Sequence, residues 1–237
     1  MTAKVLLKRG VNPEGWRVFL TGFQGIGFTG YIAIKHIVTT LPASPIGVVE
    51  APSIPPFVWM DGERLISPIQ LYEYGPFVFL VTEALPPPKD QYRLLRTVVD
   101  WVVETGFEEA VLIGGLDQRF QRGEEKMRCA VTGAYLRTRK LKIPLIERGL
   151  LITGPLALML HRFEVNDFPA IALLPYANAT RPDPMAAANA ISTLNELYGL
   201  NVDYAELVKD AERIEKEVKE LLERQAAERL RGSQAYI

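Results

Sequence analysis

Asp90–Gly115, DQYRLLRTVVDWVVETGFEEAVLIGG, is the stretch whose reading decides the fold. Leu94, Leu95, Val98, Val99, Val102 and Val103 recur at helical spacing, and Gly106 stands where a helix stops. Four apolar residues, Ala110–Ile113, follow at once and end at Gly114-Gly115. A short unbroken apolar run beside a helix is the pattern of a strand covered on both faces, as in a parallel sheet flanked by helices. The expected fold class is therefore α/β.

Working outward, the same alternation recurs. Toward the N-terminus, strands are expected at Val5–Lys8 and Arg17–Phe23, followed by a helix over Ile26–Leu41 that Pro42 stops. A β-branched run at Ile46–Val49 precedes a Pro-rich segment, Ala51–Pro56, and Asp61-Gly62 between apolar residues signals a hairpin. Ile69–Tyr74 and Phe77–Thr82 read as a strand pair joined at Gly75-Pro76. Toward the C-terminus, Arg128–Val131, Leu150–Thr153 and Ile171–Leu174 read as strands, and Pro155–Arg162 and Pro184–Leu197 as helices, each with proline in its first turn. Beyond Asn201 the composition shifts: Asp203–Arg231 holds nine acidic and seven basic residues without Gly or Pro. That segment reads as one long helix, with a seam at Leu207, Ala211, Ile214, Val218 and Leu221 and favourable pairs such as Glu212/Lys216. The seam needs burial against its own domain or a twin subunit. The expected organisation is a core over residues 1–200, a C-terminal helix over 201–231 and a flexible tail over 232–237.

Composition bounds the function. The 237 residues are 48% hydrophobic and 23% charged, the balance of a globular chain with a sizeable core. A formal charge of -1 gives no global field to attract nucleic acid or anionic lipid. One cysteine, Cys129, allows no internal disulfide and no thiolate-rich metal site, so a cytoplasmic location is expected. Met1–Trp16 lacks the apolar core of a secretory signal, and Gly149–Leu160, broken by Gly154-Pro155, is too short to span a bilayer.

Few residues offer chemistry. Gly25, Gly27 and Gly30 form a G-x-G-x-x-G between an expected strand and helix, with Glu50 twenty residues on. Such a pattern can hold a dinucleotide, backbone amides on the pyrophosphate and Glu50 on a ribose. Gln24 and Gly22 depart from that pattern, and the favoured reading is that the glycines let a helix pack tightly on a strand. His36 and His161 sit in no metal-ligand spacing, no catalytic residue is assigned, and no metal or cofactor is expected. Asp117 and Arg119 follow the Gly114-Gly115 turn, where α/β proteins often place ligands. Arg137, Arg139, Lys140 and Lys142 read as a solvated basic face, and Phe57, Trp59 and Met60 as either core or an exposed patch. At the C-terminus, Gly232-Ser233-Gln234 reads as a spacer before Ala235-Tyr236-Ile237, an aromatic beside a carboxylate that a pocket can capture.

Four blocks carry a family resemblance over almost the whole chain: Gly22–Gly30 leading into a helix; the Pro-rich link to Asp61-Gly62 and Pro68–Tyr72; Leu112–Leu116; and Pro182–Pro184 with Ala186–Leu197 and Val202-Asp203. On these the chain resembles the archaeal proteasome assembly chaperones, homologues of the second eukaryotic proteasome assembly chaperone. The resemblance implies a three-layer α/β/α sandwich similar to purine nucleoside phosphorylases, without enzymatic activity, assembled into a homo-oligomer. It also implies a hydrophobic-Tyr-any tail that docks between proteasome α-subunits, positions that Ala235, Tyr236 and Ile237 occupy here. Ala235 is smaller than the usual first residue of such tails.

Overall fold

The computed structural model describes the backbone of residues 3–54 and 56–234, and their side chains up to Glu220. In chain order the elements are β1 (Lys4–Leu7), β2 (Val18–Gly22), α1 (Thr29–Thr40), β3 (Ser44–Glu50), β4 (Trp59–Asp61), β5 (Arg64–Ile66), β6 (Ile69–Tyr74), β7 (Phe77–Thr82), α2 (Pro88–Thr105), β8 (Glu109–Ile113), β9 (Leu116–Asp117), β10 (Met127–Val131), α3 (Gly133–Thr138), α4 (Gly154–Val165), β11 (Ala170–Ala177), α5 (Pro184–Tyr198) and α6 (Ala205–Gln234). Among the described residues the strands form a mixed nine-stranded sheet of order β1-β3-β6-β7-β2-β8-β11-β10, with β9 paired to β11, and a separate hairpin, β4–β5.

The centre of the sheet is parallel, β7, β2, β8 and β11 pairing in that order. Its flanks, β6, β3 and β1 on one side and β10 on the other, are antiparallel. The parallel strands are buried on both faces, and their side chains divide by the pleat. Leu20, Val111, Ile113, Ile171 and Leu173 point to one layer, with α1, α5 and the start of α6. Phe19, Ala110, Leu112, Ala172 and Leu174 point to the other, with α2 and α4. This is an α/β sandwich with helices on both faces and a long C-terminal helix. Arg162 of α4 donates to Asp100 of α2 at 2.8 and 3.0 Å, tying the helices of the second layer together.

The Asp90–Gly115 reading matches the elements. Leu94, Leu95, Val98, Val99 and Val102 are buried on α2, and β8 is buried throughout. The strand expected at Leu150–Thr153 is instead irregular chain entering α4, with Leu151 84% exposed. No partner strand is available to it, because the edge of β10 is taken by Pro144–Ile146: the Cys129 amide donates to the Pro144 carbonyl at 2.9 Å and the Ile146 amide to the Cys129 carbonyl at 2.8 Å. The short helix α3 was not expected. Thr132 starts it by accepting from the Tyr135 amide at 3.3 Å, a cap without a following apolar period long enough to read.

α6 buries Leu207 and Ala211 against the body and half-buries Ile214, while Glu215–Glu220, Val218 included, are exposed. It spans roughly 45 Å at 1.5 Å per residue. Gly232, Ser233 and Gln234, read above as a spacer, continue the helix. The remaining tail residues, Ala235, Tyr236 and Ile237, lie outside the described residues.

Candidate functional site

The glycine-rich segment sits at the C-terminal ends of β2, β8 and β11, the end of a parallel sheet where ligands usually bind. Its shape follows from close approaches that tolerate no side chain. A Cβ on Gly30 would lie 2.1 Å from the Ile113 carbonyl oxygen, one on Gly22 2.3 Å from the Gly30 oxygen, and one on Gly115 2.4 Å from the Ile26 oxygen. Gly22, Gly30 and Gly115 thus interlock the β2–α1 loop with the end of β8. Gly27 has φ +62, and a Cβ there would meet Ala177 and Asp183 at 2.8 and 3.1 Å. The Gly27 carbonyl accepts from the Asp183 amide at 2.9 Å. Asp183 in turn accepts from the amides of Asn178 at 2.8 Å and Ala186 at 3.0 Å, capping α5. The tight contacts of Gly27 and Gly30 are therefore made to the chain itself, whereas Gly25 faces open space.

Beside the loop is a cavity of about 140 Å³ lined by Gln24, Gly25, Gly114, Leu151, Thr153 and Leu156 among others. Ligand pockets for molecules of drug or cofactor size run roughly 300–1,000 Å³, so this one is far short of a dinucleotide. Glu50 is not brought to it. It ends β3, and β6 and β7 intervene between β3 and β2, a lateral separation of roughly 14 Å at the usual strand spacing. In a dinucleotide fold the acidic residue ends the strand next to the glycine loop. Exposed apolar side chains rim this end of the sheet instead: Ile26, Phe28, Phe120 and Leu151. Phe28 holds φ +52, a conformation that a non-glycine residue adopts only when its neighbours enforce it. The sequence signal for it is an aromatic residue inside the glycine pattern.

Other polar groups are engaged within the chain. Asp117 accepts from the Arg119 amide at 3.0 Å and from its guanidinium at 2.6 Å, which holds the Asp117 carboxyl below the usual range. His36 Nε2 is 2.7 Å from the Asp203 carbonyl and anchors the start of α6. Glu83 accepts from the Tyr31 hydroxyl at 2.5 Å and pairs with Lys35; burial, then Glu83, pushes the Tyr31 hydroxyl up. Burial pushes the Cys129 thiol up to about 11, which suits a packed small side chain and not a nucleophile. Of the basic cluster, Arg137 pairs with Asp167 and Arg139 with Glu108 and Glu109 at 3.8 and 3.5 Å.

Glu109 opens β8 at the opposite end of the sheet from the glycine loop and is nearly fully buried, with Oε2 unpartnered. Burial pushes its carboxyl up, opposed by Arg139, and burial likewise pushes up the hydroxyl of nearby Tyr198. Nothing in an acidic pair Glu108-Glu109 ahead of an apolar run distinguishes the buried from the exposed one. Among the described residues no cluster of three or more His, Cys, Asp or Glu could hold a metal ion, and no helix is long and apolar enough to cross a membrane.

Residues 19–222 match the model of the PAC2 family. Two curated relatives from Methanocaldococcus jannaschii are similar along their length. Uncharacterized protein MJ0106 is 27% identical over 206 residues, 87% of this chain and 85% of that protein. Uncharacterized protein MJ1210 is 25% identical over 234 residues, 95% and 90% of the two chains. Among solved structures, Pyrococcus furiosus PbaA, described as an archaeal homolog of proteasome-assembly chaperone, superposes with a TM-score of 0.79 at 23% identity, over 100% of this chain and 98% of that one. Pyrococcus furiosus PbaB, described as an archaeal proteasome activator, gives 0.76 at 20% identity, over 93% and 98%. The two structures share the fold, and the sequence match covers most of the described sheet and every helix through the first half of α6. The chain therefore belongs to the PAC2 family.

Proposed function

We propose that this chain is a proteasome assembly chaperone or activator-like protein of the cytoplasm, acting by binding and not by catalysis. The observation that carries the reading is the family match over residues 19–222. The fold shared with both an assembly-chaperone homolog and a proteasome activator adds to it. In this reading several copies of a phosphorylase-like sandwich present their C-terminal segments to a ring of proteasome α-subunits. Tyr236 fills a pocket between two subunits, the Ile237 carboxylate pairs with a basic residue of the partner, and Ala235 supplies a small apolar contact. The long α6 supports this mechanism because its backbone runs on to Gln234 and its described side chains from Glu215 to Glu220 are exposed. One short tail binds weakly, and several tails on one assembly gain by effective concentration.

The test is capture of purified archaeal proteasome α-subunits by the full chain and by a form lacking Ala235, Tyr236 and Ile237. Tail-dependent capture is expected, and equal capture by both forms overturns the tail mechanism. Loss of capture without any change in the oligomer separates docking from assembly.

A further inference from the structure

The hairpin β4–β5 and the residues leading into it carry apolar side chains on a surface that none of the described residues covers. Met60 is 60%, Val58 59%, Leu65 56% and Phe57 40% exposed. These four side chains together present roughly 400 Å² of surface, as large as the biggest apolar patch of a typical monomer. Trp59 is only half-buried; its ring stacks on Phe57 at 5.9 Å and faces Lys35 of α1, whose Nζ lies 6.0 Å from the ring centre.

Next to the projection lies a recess. A cavity of about 730 Å³ opens between the β1–β3 edge of the sheet and the Pro-rich segment, walled by Val48, Val49, Ile54 and Ile69, with Phe57 and Val58 at its border. Knob and socket stand side by side on one surface. Around them stand Lys4, Glu50, Asp61, Glu63 and Arg64, none of which makes an ion pair among the described residues. Two of these charges are positive and three negative. A rim of mixed sign around an apolar centre is the anatomy of a protein interface, and near balance of sign does not select a polyanion or a polycation. It does suit a copy of itself, since in a two-fold contact each charge meets the same rim from the other side.

We infer that this surface is an interface between two copies of the chain, related by a two-fold axis, with Met60 and Leu65 of one copy entering the cavity of the other. The area argument agrees. A standard interface buries roughly 800 Å² per partner, and the four side chains, of which Phe57 and Val58 also border the cavity, supply about half of it before the rest of the cavity wall and the rim are counted. The inference rests on the proposal above that several copies act together, and it names the surface that joins them.

The experiment is sedimentation velocity over a concentration series on the full chain, on Met60→Glu/Leu65→Glu and on Asp61→Lys/Glu63→Lys, with circular dichroism melts of each. All four positions are exposed, so native melting is expected. The wild type should self-associate, and each variant should dissociate at least about tenfold more readily. In the wild type, amide exchange over Met60–Leu65 should slow as concentration rises. Should the glutamate variant misfold, Met60→Ser/Leu65→Ser and the exchange measurement decide. A monomeric wild type, natively folded variants that keep the wild-type assembly, or exchange independent of concentration overturns the inference; the last two with an intact oligomer assign the surface to another occupant. Failure here is distinct from failure of the tail mechanism, because the hairpin variants retain Ala235–Ile237 and α-subunit capture is read separately.

Discussion

Gly30 and Glu109 show how single residues set limits that their neighbours in sequence do not reveal. The Cβ of alanine at position 30 would sit 2.1 Å from a backbone oxygen that cannot swing away. Gly30→Ala is expected to destabilise the fold by roughly 3 kcal/mol or more, read by urea unfolding, whereas Gly25→Ala, with nothing within 4 Å, should cost well under half as much. Thr132 serves three partners: it accepts from the amides of Tyr135 and Ala170 at 3.3 and 3.0 Å and donates to the Phe168 carbonyl at 2.8 Å. The isosteric Thr132→Val strands two amides and a carbonyl in a buried place, an expected loss of about 2–3 kcal/mol by the same measurement. For Glu109 the sign is set by burial. Its folded pKa lies above the unfolded value, so the wild type is favoured below the ordinary glutamate range and loses stability as pH rises through the raised value. Glu109→Gln removes that loss, and urea unfolding from acid to neutral pH should show the variant gaining on the wild type as pH rises. A constant difference would show that desolvation and the Arg139 pair cancel, and a variant that falls behind the wild type as pH rises would show that the pair governs the site.

At the scale of elements, those with a long apolar period were readable and those defined by pairing were not. α2, with five buried residues at helical spacing, and β8, wholly apolar after Glu109, are readable because each repeats its own signal. Leu150–Thr153 has the β-branched and apolar composition of a strand but no free strand edge to pair with, and pairing is not a local property. α6 was legible as a helix from its charge pattern, while the point at which it parts from the body depends on what α5 offers. Asn195 of α5 fixes the turn into it, donating to the Val202 carbonyl and accepting from the Val202 amide, both at 2.9 Å. Leu207→Ala should cost about 2–4 kcal/mol, as it empties a buried site, and Val218→Ala, exposed on the same seam, under about 0.5 kcal/mol. Equal costs would mean that the distal half of α6 is packed in solution.

For the whole molecule, the measurable outputs are assembly and α-subunit capture. The 140 Å³ cavity beside the glycine loop holds neither NAD, ATP nor a nucleoside and Glu50 is remote from it, so no thermal shift that depends on Gly25 is expected; a saturable rise abolished by Gly25→Ala would return Gly25, Gly27, Gly30 and Glu50 to a binding role, and one that survives it would assign the ligand to the 730 Å³ cavity beside Glu50. The α/β class, the main helices and the family were determined by the sequence alone, because periodicity, turn residues and motif blocks are written along the chain. The glycine pattern permitted both a phosphate cradle and tight packing. Only the tertiary structure distinguished where each glycine is used, because the atoms that exclude a side chain at Gly22, Gly30 and Gly115 come from segments up to about ninety residues apart. The exposed hairpin was likewise decided by the fold, since alternation of apolar residues says which side chains share a face and not whether another layer covers it.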